Sequence, residues 1–206
     1  MRVRSKEIAA SHRAFACREQ YTRLVTELAL DASRSRVRIQ TFAEGLFARL
    51  AHDLELVCGE LSGSATRTAS GTGSAVVSAP LRGIEVGGVV EHGRVDASRL
   101  SSSDRRDIVD KMQREVFHAA ASSSLTIEAT LQGSSARLRI TLPNGRRTDA
   151  SATALLREED GSVATSGGFS LSLSDIGSDV IKGPMGAFRV KDRVEVVFDL
   201  VFTPKG

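Results

Sequence analysis

The chain has 206 residues, a length that suits one barrel or sandwich domain or two very small units. Hydrophobic residues make up 41% and charged residues 26%, a globular balance, and the net charge of +3 is scattered rather than gathered in a basic block. With 4% aromatic residues, no Trp and one Tyr, neither an electrostatic footprint for nucleic acid nor an aromatic stacking platform is expected.

Residues 1–22 read as an N-terminal extension, helical or disordered, in which Ile8, Phe15 and Tyr21 form one thin apolar stripe. The stretch opens with basic residues but lacks the apolar run of a signal peptide, and no window reaches 18 apolar residues. A cytoplasmic chain with no membrane-spanning helix is therefore expected, with the folded domain over 23–206. Cys17 and Cys58 lie too far apart in sequence to make a CxxC pair, and His12, His52, His92 and His118 form no ligand-spaced cluster. No metal or cofactor is expected.

From about Leu24 the texture becomes alternating. Val37 and Ile39 share one face, as do Leu54, Leu56 and Cys58. His92 falls in phase with Ile84, Val86 and Val90, which predicts an inward-facing histidine. Ser101-Ser102-Ser103-Asp104 then opens a stretch with Ile108, Met112 and Val116 at intervals of four, so an amphipathic helix is predicted from about 103 to 119. Alternation returns in Leu125, Ile127, Ala129 and Leu131, and again in Leu138, Ile140 and Leu142. It recurs in Phe169, Leu171 and Leu173, and finally in Val194, Val196, Phe198, Leu200 and Phe202. A period of two with one apolar face marks antiparallel strands, and many of them mean a sandwich or a barrel. Pro143-Asn144-Gly145 predicts a hairpin with a type I′ turn, and Asp160-Gly161 marks another. Asp175, Asp179 and Asp192 lack the spacing of a calcium loop and read as turn caps.

Three segments together resemble the YceI-like family of lipid- and polyisoprenoid-binding proteins. The first is SRVRIQTFAEGLFARLAHDLEL, carrying Ser35, Val37, Ala51, His52 and Leu54. The second is the helix segment LSSSDRRDIVDKMQREVFHAAASSSLTIEA. The third closes the chain with Asp175-Ile176-Gly177 and Val190-Lys191-Asp192-Arg193-Val194. The family's Pro before the central strand is replaced by Ser122, Ser123 and Ser124, and its Asp-aromatic-Gly element has Ile176 at the aromatic position. The chain resembles a divergent member over roughly residues 24–204.

The resemblance implies an all-β fold: an extended, antiparallel, lipocalin-like β-barrel of about eight strands with one inserted α-helix. It implies a non-catalytic binding protein whose interior holds a long-chain amphiphile, such as a polyisoprenoid, an isoprenoid quinone or a fatty-acid derivative. Each buried methylene yields about 0.8 kcal/mol, so few polar groups are needed. Strand phase nominates Phe42, Leu54, Leu56, Ile127, Phe169, Leu171, Val196 and Phe198 as the lining, with Phe47 and Phe117 near an opening. His52 is the candidate polar contact, either to a head group or to a backbone carbonyl. Members of the family are often exported, which sets a periplasmic location beside the cytoplasmic one. Two other readings stand alongside: a filled barrel acting as a protein-interaction domain, and a hydrolase using His52. The sequence leaves a homodimer open.

Overall fold

Three of the chain's first strands are each broken by a short corner, and those corners shape the molecule. The computed structural model describes residues 25–45, 52–68, 72–183, 186 and 188–205. The extension over 1–22 and the candidate Phe47 lie outside the described residues.

Strand β1 (Val25–Leu30) turns through a 3-10 corner at Ala32–Arg34 into β2 (Arg36–Thr41) and the two-residue β3 (Ala43–Glu44). Strand β4 (Asp53–Cys58) passes Gly59-Glu60-Leu61 into β5 (Ser62–Thr68), and β6 (Thr72–Pro80) passes a 3-10 corner at Leu81–Gly83 into β7 (Ile84–Glu91). Then follow β8 (Arg94–Asp96), the helix α1 (Ser102–Lys111) with a π-helical turn at Met112–Phe117, and β9 (Ser124–Gln132). The chain finishes with β10 (Ser135–Thr141), β11 (Arg147–Glu159), β12 (Ser162–Ser172), β13 (Arg189–Val190) and β14 (Arg193–Pro204).

Hydrogen bonding runs β1-β5-β6-β9-β10-β11-β12-β14, and β14 pairs back to β1 through Leu28↔Pro204 to Leu30↔Phe202. The result is a closed antiparallel barrel of eight strands, as expected. Closure removes the edges that an open sheet would leave unpaired. Beyond the corners the same long strands continue as a second arm, β14-β2-β4-β7-β8. Strand β14 serves both: one edge pairs β12 throughout, the other pairs β2 over Glu195–Asp199 and then β1.

The first corner has a chemical cause. Asp31 caps it by accepting from the Ser33 amide at 3.1 Å and the Ser33 hydroxyl at 2.6 Å. Ser35, only 1% exposed, accepts from the Val201 amide through Oγ at 3.0 Å, while the Asp31 amide donates to the Val201 carbonyl at 2.8 Å. The same tetrapeptide, Asp-Ala-Ser-Arg, recurs at 96–99 and folds the same way, with the Asp96 carboxylate taking the Ser98 amide at 2.9 Å and its hydroxyl at 2.6 Å. In both turns the serine donors hold the aspartate carboxyl below the usual carboxylate range.

The helix begins on a capping box: Ser101 Oγ accepts from the Asp104 amide at 3.2 Å, and the Asp104 carboxylate takes the Ser101 amide at 2.9 Å. The predicted period of four holds to Lys111. The π-turn then widens the spiral and carries Met112, Val116 and Phe117 all into the interior before His118, at φ 48°, ends it.

Two local expectations are corrected. His92 does not point inward: with Gly93 it forms the two-residue turn between β7 and β8, exposed, at φ 50° and 75°. That pair of positive φ angles is the type I′ geometry, which ends the strand before the phase of Val90 reaches residue 92. At Pro143-Asn144-Gly145 the hairpin is present but only Gly145 has positive φ, 81°. Proline fixes φ near −65° at the first central position, which a type I′ turn excludes, so Leu142 O accepts from the Gly145 amide at 2.9 Å around a type I arrangement. Asp160-Gly161, at φ 50° and 77°, is the true type I′ turn.

Candidate functional site

The alternating apolar faces converge on the barrel interior and do not fill it. Among the described residues two cavities open in it, of about 630 Å³ and about 140 Å³. Val37, Val77, Ile127, Phe169 and Val196 line both, so these five side chains form the waist between a large lobe and a small one. The larger lobe falls within the 300–1,000 Å³ range of small-molecule sites.

The large lobe lies on the corner side of the barrel. Beyond Pro80, β6 gives up its pairing with β9, and β7 follows β4 and β8 instead. Helix α1 and the π-turn supply wall there, through Ile108, Met112, Val116 and Phe117. Opposite them stand Ile39, Leu54 and Leu56, with Phe169, Leu171 and Val196 from β12 and β14. The segment 173–190 adds Leu173, Ile176 and Ile181; Ile176, in the Asp-Ile-Gly element, is 2% exposed. This segment is held by Asp192, whose carboxylate accepts from the Ser174 amide at 2.7 Å and from the hydroxyls of Ser172 and Ser174. Those donors, Ser172 foremost, keep the Asp192 carboxyl below its ordinary range.

The small lobe is walled by Leu28, Leu138, Leu200 and Phe202 together with alanines from five strands, Ala65, Ala75, Ala129, Ala136 and Ala154. Small inward side chains leave its space open.

Of the eleven residues nominated from sequence, Phe42, His52, Leu54, Leu56, Phe117 and Leu171 line the large lobe. Ile127, Phe169 and Val196 line both lobes, and Phe198 lines the small one alone. Phe117 is buried within the π-turn at 7% exposure. His52 and Lys182 line the cavity while remaining exposed, which locates its mouth between the start of β4 and the strip 181–190. There Asp53 accepts from the Ala43 amide at 2.9 Å, β13 pairs with β3, and the Lys191 amide donates to the Phe42 carbonyl at 2.7 Å. His52 faces the Glu91 carboxylate at 3.8 Å, a distance beyond a hydrogen bond.

Sequence reasoning did not nominate Lys111, Met112, Val116, Ile176, Ile181 or Lys182 as lining. The i, i+4 spacing of Ile108, Met112 and Val116 carried that signal for the helix. Nothing in the sequence alone marks 181–182, which reach the cavity only because the Asp192 and Glu115 hydrogen bonds fold the segment inward. Cys58 also lines the large lobe; burial, and then the nearby Glu60 charge, push its thiol up to about 11. Among the described residues no group of three or more His, Cys, Asp or Glu is placed to hold a metal, and no helix is long and apolar enough to cross a membrane.

The fold is similar to that of two solved structures. One is BcnA from Burkholderia cenocepacia, with a TM-score of 0.58 and 14% identity over 84% of this chain and 98% of that one. Another is a polyisoprenoid-binding domain from Saccharophagus degradans implicated in plant cell wall breakdown, with a TM-score of 0.55 and 12% identity over 86% of this chain and 98% of that one. At such identities the likeness is one of fold, and the fold is the antiparallel, lipocalin-like barrel expected from the sequence. No protein-family model matches the chain, and no curated protein matches it.

Proposed function

We propose that this chain is a non-catalytic binding protein that holds a long-chain apolar amphiphile in the barrel interior, for storage or transport. The observation that carries the reading is the large lobe: about 630 Å³ of space, walled by Leu, Ile, Val, Phe and Met side chains, where the closed barrel gives way to the second arm. A filled barrel would have favoured a protein-interaction domain, and this interior is not filled. The smaller lobe beyond the waist gives a slender tail a second compartment. The candidate ligands are a polyisoprenoid, an isoprenoid quinone or a fatty-acid derivative, and the likeness to a polyisoprenoid-binding domain supports that class.

The nominated residues Phe42, His52, Leu54, Leu56, Phe117, Ile127, Phe169, Leu171, Val196 and Phe198 are the proposed contacts, with the tail crossing the waist at Phe169. The polar side chains on the wall of the large lobe are few, which supports binding over hydrolysis. His52 stands at the mouth beside Glu91, half-exposed, a position suited to a head group rather than to a buried reacting centre.

The test is solvent extraction of the purified protein followed by mass spectrometry, with a matched protein of similar size as control. One amphiphile class enriched at near-stoichiometric amounts is the expected result. A protein that carries none, and takes up none from mixed micelles, would overturn the reading.

A further inference from the structure

We propose that the cavity selects amphiphiles with an anionic head group, a carboxylate or a phosphate, through Lys182 and Lys111 at its mouth. The inference deepens the binding reading above and rests on it.

The wall's ionisable side chains are one-sided. His52, Cys58, Lys111 and Lys182 line the large lobe, and no Asp or Glu is among its described lining residues. Cys58 stays a neutral thiol, since burial opposes the thiolate. The formal charge on the wall of the large lobe therefore comes from two lysines, of which Lys111 is paired with Glu115.

The two lysines stand on elements that the backbone joins. Lys111 closes α1, and its ammonium is tethered to Glu115 at 2.9 Å, one turn along. The Glu115 carbonyl in turn accepts from the Asp179 amide at 2.9 Å and the Ser178 hydroxyl at 3.3 Å, which fastens the strip carrying Ile181 and Lys182 onto the end of the helix. Lys182 itself pairs with Arg189 only through the backbone, and its ammonium has no ion-pair partner among the described residues. Across the mouth, the Lys191 ammonium lies 5.7 Å from the centre of the Phe42 ring.

Most acids nearby already face cations, while Asp53, at the mouth, accepts from the Ala43 amide at 2.9 Å. Glu44 holds Arg189, Glu91 holds Arg99 at 3.2 Å, Glu115 holds Lys111, and Asp179 lies 4.0 Å from His118. Lys182 is the lining cation with no ion-pair partner among the described residues, set against low-dielectric walls that concentrate its field. A lysine at such a rim lays its methylenes along the apolar wall and keeps its ammonium at the water boundary. A tail inserted into the lobe would bring an anionic head to that boundary, where a neutral head gains no ion pair.

Matched pairs test this: hexadecanoate against methyl hexadecanoate, and farnesyl monophosphate against farnesol. Each competes with N-phenyl-1-naphthylamine, an uncharged fluorescent probe, for the full-length protein. We expect at least a tenfold preference for the anion in one or both pairs, falling as salt rises. The pair that shows it identifies the head group. Lys182→Gln and Lys111→Gln, checked for folding by circular dichroism, should each weaken binding of the anion more than binding of its neutral partner. Equal affinity for anion and neutral partner in both pairs, or a preference untouched by both substitutions together, would overturn the anion selection while the binding reading stands. Failure of the probe and of all four amphiphiles to bind would overturn the binding reading itself.

Discussion

Gly167 and Phe198 stand opposite each other across β12 and β14, and the Phe198 ring occupies the place a side chain at 167 would take. A Cβ built on Gly167 would lie 2.8 Å from the ring and would also collide with the Thr153 carbonyl on β11. The glycine is thus what lets the ring lie against the sheet at the wall of the small lobe. Gly167→Ala should destabilise the protein by about 1–3 kcal/mol, the range for overpacking a tight interior. Urea unfolding measures it, and an unchanged midpoint would show that the ring and β11 are free to shift.

The β1–β2 corner makes a second prediction. Both backbone groups of Val201 are satisfied by the Asp31–Ser35 turn, the amide by the buried Ser35 hydroxyl at 3.0 Å. Ser35→Ala would leave that amide without its acceptor in a place where water has little access. The expected cost is about 1–3 kcal/mol. A smaller loss in chemical denaturation would mean that the corner relaxes to find another acceptor.

The strands were legible in sequence wherever large apolar residues alternate with polar ones, as in Val194 to Phe202 or Leu54 to Cys58. They were obscure where the inward residues are small. Strand β11 presents Ala152 and Ala154 to the interior, and β5 presents Ala65, so hydropathy barely distinguishes their two faces. Of these, Ala65 and Ala154 help leave the small lobe open, so the feature that hid the strands is also part of the site. The mouth was hidden for another reason. Its rim is assembled by hydrogen bonds between residues more than 60 apart in sequence, such as Asp179 with Glu115, and no local period records them.

Cys58 reports on the large lobe chemically. Its thiol, 2% exposed and raised to about 11, should be roughly one part in a thousand thiolate at pH 8. Alkylation by iodoacetamide, followed at Cys58 by peptide mass spectrometry, should be slow at pH 8. Its rate should rise about tenfold per pH unit towards 11. Rapid labelling at neutral pH would mean that the lobe opens to solvent far more than this structure does.

Asp192 gives the segment beside the cavity a pH dependence. Its carboxyl is held below the ordinary carboxylate value by donors from Ser172 and Ser174. A depressed folded-state pKa contributes stability that is present above the unfolded value, near 3.9, and is lost as pH falls through the folded one. The loop from Leu173 to Ser178 should therefore loosen only in acid below about pH 4, whereas Asp192→Asn should loosen it at pH 7. The Ser174 amide resonance would follow both. A resonance that keeps its position in the variant at pH 7 would sink the assignment.

Leu171 offers the most direct probe of whether the large lobe is a binding space. Its side chain is half-buried and reaches the cavity from β12, opposite Val194 on β14. In a packed interior, replacing leucine by tryptophan would cost about 1–3 kcal/mol or more. Here about 630 Å³ lies in front of the side chain, so the indole has room without moving the strands. Leu171→Trp should keep its fold and lose at most a small part of its stability, while bound amphiphile, measured by extraction and mass spectrometry, falls by at least tenfold. The tryptophan, unique in this chain, also gives a fluorescence signal whose blue-shifted emission would place the indole in an apolar space. A folded Leu171→Trp protein that retains amphiphile as well as the parent would mean that the tail does not run past β12. A variant that unfolds would mean that the lobe is not free space at this wall.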